Sequence, residues 1–279
     1  MKQIIINKYK LGDIYLIGVK NIDDAMLVLK RRRSSLGMFT KLQKSDKTTI
    51  VETIEDIDND GFTKLISAYQ TLQYGNLSEA KELAEQLKLE YSENSEVYRL
   101  LSFIADYEHD YKLAMTYIDK AIECNNENTF AWLHKGRLFF DVLKKADDAL
   151  SCFQKCVELD KYMFYAYHDL GLVCLNWLNS LIINQDEDYK KYAKEYAENA
   201  MKFFQLSKAI NPLFLENYPN IAQIYLICGN DDDCMSFVEK SIDYFKEMNL
   251  YNINNDLIKS MKKTYEDAYM HKLKEKGGG

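Results

Sequence analysis

One spacing constrains this chain more than any other property. Small residues recur at Ala68, Ser102, Gly136, Gly171 and Ala222, at intervals of 34, 34, 35 and 51 residues. A second series, Ala80, Ala114, Ala149, Ala200 and Cys234, runs at 34, 35, 51 and 34. The two series part only where an insertion falls between them. A period of this length marks supersecondary units that stack, since a lone unit cannot bury its own apolar face. Around each landmark apolar residues return at i, i+3, i+4 and i+7, one face of a helix. Small residues then mark where two helices approach closely, with large ones filling the space beside them. Only 2 prolines and 11 glycines occur in 279 residues, which favours long helices over a turn-rich sandwich or barrel.

The third unit contains Trp132-Leu133-His134-Lys135-Gly136 and then Ala149-Leu150-Ser151-Cys152-Phe153. The fourth contains Tyr167, Leu170 and Gly171, then Ala200 to Phe204, with Pro212 behind. The second offers Tyr98, Leu101, Ser102 and Ala105, and the fifth Tyr218, Ile221, Ala222 and Tyr225. The first departs most, with Lys64 in the large aromatic slot. At these residues the chain resembles the tetratricopeptide repeat family, whose pattern is W-x2-L-G-x2-Y, A-x3-F, P. The resemblance implies a mainly α fold, a right-handed solenoid of about five helical hairpins. It spans residues 61–249, and a C-terminal capping helix over 250–276 follows. That helix carries Leu257, Met261, Tyr265 and Ala268 on one stripe.

Residues 1–60 lie outside the repeat. Ile4-Ile5-Ile6 and Ile14-Tyr15-Leu16-Ile17 flank a turn as two strands, and Thr48-Thr49-Ile50-Val51 suggests a third. Asn21 caps a helix that ends in Lys30-Arg31-Arg32-Arg33, so a small α/β module is expected, with an irregular N-terminal cap as the rival. Residues 1–50 hold 11 Lys and Arg against 4 Asp and Glu, whereas the remainder holds 25 against 39. A basic head on an acidic body suits nucleic acid or phosphate, and equally a contact with acidic protein surface. No apolar run approaches the roughly 18 to 20 residues that span a bilayer. Residues Met1 to Lys8 also lack the apolar core of a signal peptide. A cytoplasmic protein is expected.

Between Cys174 and Ala200 the fourth unit carries 17 extra residues. They continue both helices, giving an elongated hairpin at about 175–199. Trp177, Tyr189, Tyr192 and Tyr196 supply more aromatic surface than a solvated spike needs, so a second contact, with a partner or a homodimer mate, is expected there.

Little in the chain points to catalysis, a cofactor or a metal. The six cysteines include Cys156 and Cys234 in small-residue slots and Cys174 in an aromatic slot, as core residues would be. No Cys-x2-Cys pair or His cluster completes a tetrahedral site. Asp56-Ile57-Asp58-Asn59-Asp60-Gly61 matches the start of a calcium loop, but Ser67 stands where the closing Glu belongs. The alternative is an acidic helix cap. His109, His134, His168 and His271 join no catalytic motif. The expected function is a protein–protein adaptor or receptor. It would bind a peptide or protein segment in the groove that the resemblance implies, with Arg99, Phe103, Tyr107, Phe130, Leu133, Arg137, Phe140, Tyr165, His168 and Leu172 lining it. Relatives that grip a C-terminal carboxylate use Lys, Asn and Arg on this face, where Leu65, Tyr69, Leu100, Phe130 and His134 stand here. The other reading is nucleic-acid or phosphate binding through the basic N-terminal residues.

Overall fold

The computed structural model describes residues 4–6, 14–16, 41–44, 50–53, 58–184, 189–248 and 255–277. By internal packing the chain divides into two compact units, Met1–Met163 and Phe164–Gly279.

The first unit contains four strands, β1 (Ile4–Ile6), β2 (Ile14–Leu16), β3 (Lys41–Lys44) and β4 (Ile50–Thr53), in the order β2-β1-β4-β3. The β1–β2 pair is antiparallel, with Ile5 opposite Tyr15. β4 begins two residues later than the expected third strand and shares Ile50 and Val51 with it. β3 had no signal, since Lys41-Leu42-Gln43-Lys44 lacks an apolar alternation. The helix expected after Asn21 lies outside the described residues.

The same unit then runs through α1 (Asn59–Gln73), α2 (Leu77–Glu90), α3 (Ser95–Tyr107), α4 (Tyr111–Cys124), α5 (Thr129–Arg137) and α6 (Ala146–Leu159). A short oxygen-bearing side chain starts most of these helices, because the first turn leaves backbone N–H groups without partners. Asp58 accepts from the Gly61 N–H at 2.8 Å, Asp110 from Leu113 at 3.0 Å and Asn128 from Ala131 at 3.1 Å. Helices pair in order, α1 with α2, α3 with α4 and α5 with α6. The landmark residues lie at the pair contacts. Ala68, Ala80, Ser102, Ala114 and Ala149 are wholly buried. Ser102 keeps its hydroxyl satisfied by donating to the Ala114 carbonyl at 2.8 Å. A Cβ on Gly136 would sit 2.4 Å from the Phe153 ring, so the glycine is set by close approach.

One irregularity explains a number in the sequence. The interval from Ala114 to Ala149 is 35 rather than 34, and the extra residue is taken up by a π-helical turn, Leu138–Val142, directly after α5. Its Leu143 N–H bonds the Leu138 carbonyl, five residues back, at 3.0 Å. Such bulges accommodate a single inserted residue without breaking the helix.

The second unit comprises α7 (Phe164–Asn184), α8 (Tyr189–Ile210), α9 (Asn217–Ile227), α10 (Asp231–Glu247) and α11 (Asn255–Gly277). α7 has 21 residues and α8 has 22, against 13 to 15 for α1 to α4. Gly171 repeats the close approach of Gly136, with Phe204 2.8 Å from its would-be Cβ. α11 lies against α9 and α10, burying Ile258, Met261 and Ala268.

Candidate functional site: the faces of the first helices

In the first unit α1 meets α3, and α3 meets α5, so the first helix of each hairpin shares a surface with the next. Arg99 is the centre of that surface. It is only 6% exposed, and its guanidinium contacts Glu96 through Nη2 at 2.8 Å and Nε at 2.9 Å. Glu96 spends its other oxygen on the Asn128 amide at 2.6 Å. A buried charge is tolerable only when paired and hydrogen-bonded, and this pair is both. Burial works against the guanidinium's charge, but Glu96 and Tyr69 outweigh it and hold Arg99 more firmly protonated than usual. Burial also pushes the Tyr69 phenol up.

Aromatic rings enclose this ion. The guanidinium carbon lies 5.0 Å from the Tyr69 centroid, 5.4 Å from Phe103 and 5.6 Å from Phe130. Phe103 stacks on His134 with centroids 3.9 Å apart, and Tyr69 meets Phe103 edge-on at 6.4 Å. The result is a row, Tyr69–Phe103–His134, crossing α1, α3 and α5. His134 is buried, and its Nε2 has no hydrogen-bond partner among the described residues. Burial, with Arg99 and Arg137 nearby, drives its pKa down to about 3, so the ring is neutral.

The groove residues expected from the sequence divide by depth. Arg99, Phe130, Leu133 and His168 are 5–7% exposed and form the floor of their respective units rather than a free surface. Phe103, Arg137, Phe140, Tyr165 and Leu172 are half-buried, and Tyr107 is 60% exposed. Phe140 sits on the π turn. Tyr165, His168 and Leu172 belong to the second unit. There His168 Nδ1 lies 3.0 Å from Asn217 Oδ1, and its ring meets Phe204 and Phe214 edge-on at 5.3 and 5.0 Å. The sequence missed Asn128 and Asn217, which tie consecutive hairpins together. Asn128 donates to Ser95 Oγ at 2.8 Å, and Asn217 to Ser207 Oγ at 3.0 Å. Each asparagine opens a first helix, which is the signal that would have found them.

The aromatic residues of the long hairpin pack largely on one another. Trp177 and Tyr196 lie 5.4 Å apart across α7 and α8, and Tyr192 stacks on Tyr196 at 6.3 Å. The Tyr189 side chain lies outside the described residues. Lys30 to Arg33 and Asp56 do as well. Asp58 serves as the α1 cap and also accepts from the Tyr91 hydroxyl at 2.7 Å. Those two bonds hold its carboxyl below the ordinary range, the Gly61 N–H contributing most. Asp60 pairs with Lys64 at 2.9 Å. Cys152, Cys156, Cys174 and Cys234 are buried, and burial pushes the thiols of Cys152, Cys174 and Cys234 up to about 11. They are therefore poor nucleophiles at neutral pH. Among the described residues no three His, Cys, Asp or Glu side chains are grouped to hold a metal, and no helix is long and apolar enough to cross a membrane.

No family model matches the chain. The TPR repeat-containing protein MJ1428 of Methanocaldococcus jannaschii is 30% identical over 159 residues, which cover 53% of this chain and 26% of that protein. The chain thus spans about a quarter of this relative's length. Among solved structures, PilF of Pseudomonas aeruginosa aligns with a TM-score of 0.56 at 15% identity, over 78% of this chain and 92% of that one. TTC0263, described as a thermophilic TPR protein of Thermus thermophilus, aligns with a TM-score of 0.52 at 13% identity, over 75% and 99%. At these identities the two structures bear on the fold alone.

Proposed function

Because the repeats of this chain are tetratricopeptide repeats, we propose that it acts as a protein-binding adaptor whose ligand-facing surface in the first unit is the aromatic row of α1, α3 and α5. The ligand is a peptide or protein segment carrying apolar side chains. The observation that carries this is the Tyr69–Phe103–His134 row, fixed by the buried Arg99–Glu96 pair. A floor already locked by packing loses little entropy when a ligand arrives, which is what preorganised binding requires. Beyond it Tyr107, Arg137 and Phe140 reach solvent on α3, the end of α5 and the π turn, the kind of residue that dominates binding hot spots. A C-terminal carboxylate is the wrong ligand for this floor. The central guanidinium is neutralised by Glu96, and Leu65 and Leu100 fill neighbouring buried positions.

The test places a photo-crosslinking phenylalanine analogue at Tyr107, with Leu89 on α2, 85% exposed, as the control position. A protein adduct specific to position 107 is expected. Tyr107→Ala with Phe140→Ala should weaken capture of that same protein by about 30-fold or more, since aromatic anchors are often worth about 2 kcal/mol each. Both side chains have exposed surface, so the variant should keep its helicity. Identical adducts at 107 and 89, or unchanged capture by the folded double variant, would remove this face from consideration.

A further inference from the structure

A groove borders the second helix of the elongated hairpin, beginning in the added turns and continuing into the regular part of the repeat. It has a volume of about 990 Å³ and runs along one face of α8, against the end of α9 and Leu178 of α7. Its lining is largely apolar, with Leu178, Ala197 and Ile224 buried at its base and Ala193, Met201 and Ile227 half-buried along it. On α8 its residues recur as neighbours one and four apart, from Ala193 to Ala209, which is one side of a single helix. That stretch is about 24 Å long at 1.5 Å per residue. α8 has 22 residues whereas α9, its neighbour in the stack, has 11, so part of the α8 face has no counterpart to cover it.

Charge gives the groove a sign. Lys194, Lys202 and Lys208 stand along α8, and the one carboxylate among the lining residues, Glu198, pairs with Lys194 at 3.8 Å, so three lysines against one glutamate leave a net of two positive charges. Lys202 is exposed and makes no ion pair among the described residues. Lys208 also lines the groove, and its ammonium lies over the rings of Tyr218 and Phe237 at 5.5 and 5.3 Å. This cationic edge stands out on a chain of net charge −7.

We propose that this groove binds an acidic amphipathic helix of a partner protein. The apolar floor takes one face of that helix, and its flanking Asp or Glu residues meet Lys194, Lys202 and Lys208. A strand is excluded as the guest because both walls are helices whose backbone groups are spent internally, so no edge is available to pair with it. A helix satisfies its own backbone and presents side chains at i, i+3, i+4 and i+7 to a trough of this kind. About four turns fill the available length. The site is separate from the aromatic face of the first unit and does not depend on it.

The probe is a synthetic fluorescein-labelled helical peptide of about 16 residues, the length set by four turns. Leucines form one face and glutamates flank it, and a second peptide has lysines in place of the glutamates. Anisotropy titration of the full chain should show saturable binding of the acidic peptide and at least tenfold weaker binding of the lysine peptide. Met201→Glu should cost at least tenfold by charging the floor. Lys202→Glu, on an exposed side chain that folding does not need, should cost about tenfold by reversing a rim charge, and more salt should narrow that difference. Tyr107→Ala with Phe140→Ala should bind the peptide like the parent, so failure here and failure of the aromatic face are read separately. Equal binding of both peptides, no saturable binding of the acidic one, or no effect of Lys202→Glu would overturn the proposal. So would a dimer seen by light scattering that Met201→Glu dissolves, since the occupant would then be a second copy of this chain.

Discussion

The second hairpin, α3 and α4, and the fourth, α7 and α8, are built alike at the base and differently beyond it. Both keep a small residue where the helices touch, Ser102 in one and Gly171 in the other. Both are clipped to the next hairpin by an asparagine reaching a buried serine, Asn128 to Ser95 and Asn217 to Ser207. The extra two turns of the fourth hairpin draw on none of this. They are held by a local cluster in which Trp177 meets Tyr196 across the helices and Leu178 is buried with Ala197. Stacking therefore fixes the contacts near the hairpin base and leaves helix length free. Added length creates a face that the following unit does not cover.

The largest test of shared construction swaps alanine into the glycine slots. Gly136→Ala forces a methyl to 2.4 Å from Phe153, a fully buried ring, and should cost about 3 kcal/mol, the upper end for overpacking. Gly171→Ala meets Phe204 at 2.8 Å and should cost about 2 kcal/mol. Urea unfolding would measure both, and a harmless Gly136→Ala would show that the two bases are not equivalent. Next come the clips. Asn128→Ala removes a helix cap and leaves Glu96 and Ser95 short of a donor, a loss of about 2 kcal/mol. Asn217→Ala strips Ser207 and His168 of the same partner and should cost a similar amount. If one clip is costly and the other free, the resemblance between the bases is only geometric.

His134 and His168 sharpen the contrast, since they stand in neighbouring slots of successive first helices, two residues before Gly136 and three before Gly171. His168 reaches Asn217, whereas His134 Nε2 has no partner among the described residues and the ring stays neutral down to about pH 3. An unfolded chain binds a proton at this histidine near its ordinary value of 6.5, and the folded chain does not. Stability from this group is thus complete above that pH and falls as the pH drops toward 3, by at most about 1.4 kcal/mol per pH unit. His134→Phe should flatten the stability curve between pH 4.5 and 6, measured against the parent in urea. Parallel curves would assign the acid loss elsewhere.

The sequence carried the hairpins because helix contacts recur at a fixed interval that small residues reveal. It carried less of the surfaces. Arg99, Phe130, Leu133 and His168 sit on the side of their helices that looks free within one hairpin, and neighbouring elements bury them. The same limit hid the groove on α8. Ala193, Ala197 and Met201 read in the sequence as a packing stripe, and they do pack, with Ala197 buried, but the same stripe also borders the groove, which one helix pattern cannot reveal. Asn128 and Asn217 escaped notice because capping explains an asparagine at a helix start without any second role.

The smallest effect concerns the turns between paired helices. In the first three hairpins the same position adopts a left-handed backbone, with φ of 83° at Gly75, 61° at His109 and 56° at Lys144. Only glycine takes this conformation without strain from its Cβ, which costs other residues roughly 1–2 kcal/mol, partly offset because glycine loses more chain entropy on folding. Nothing lies within 4 Å of a Cβ built on Gly75, so Gly75→Ala isolates the backbone contribution and should destabilise by about 1 kcal/mol. Lys144→Gly reverses it and should stabilise by a similar amount, raising Tm by about 2 °C for a chain of this size. His109→Gly should gain less, because the ring contact with the Tyr111 hydroxyl at 3.0 Å is lost with the side chain. Equal gains at 109 and 144 would mean that the His109–Tyr111 contact contributes nothing. A loss at 144 would mean that chain entropy outweighs backbone strain in these turns.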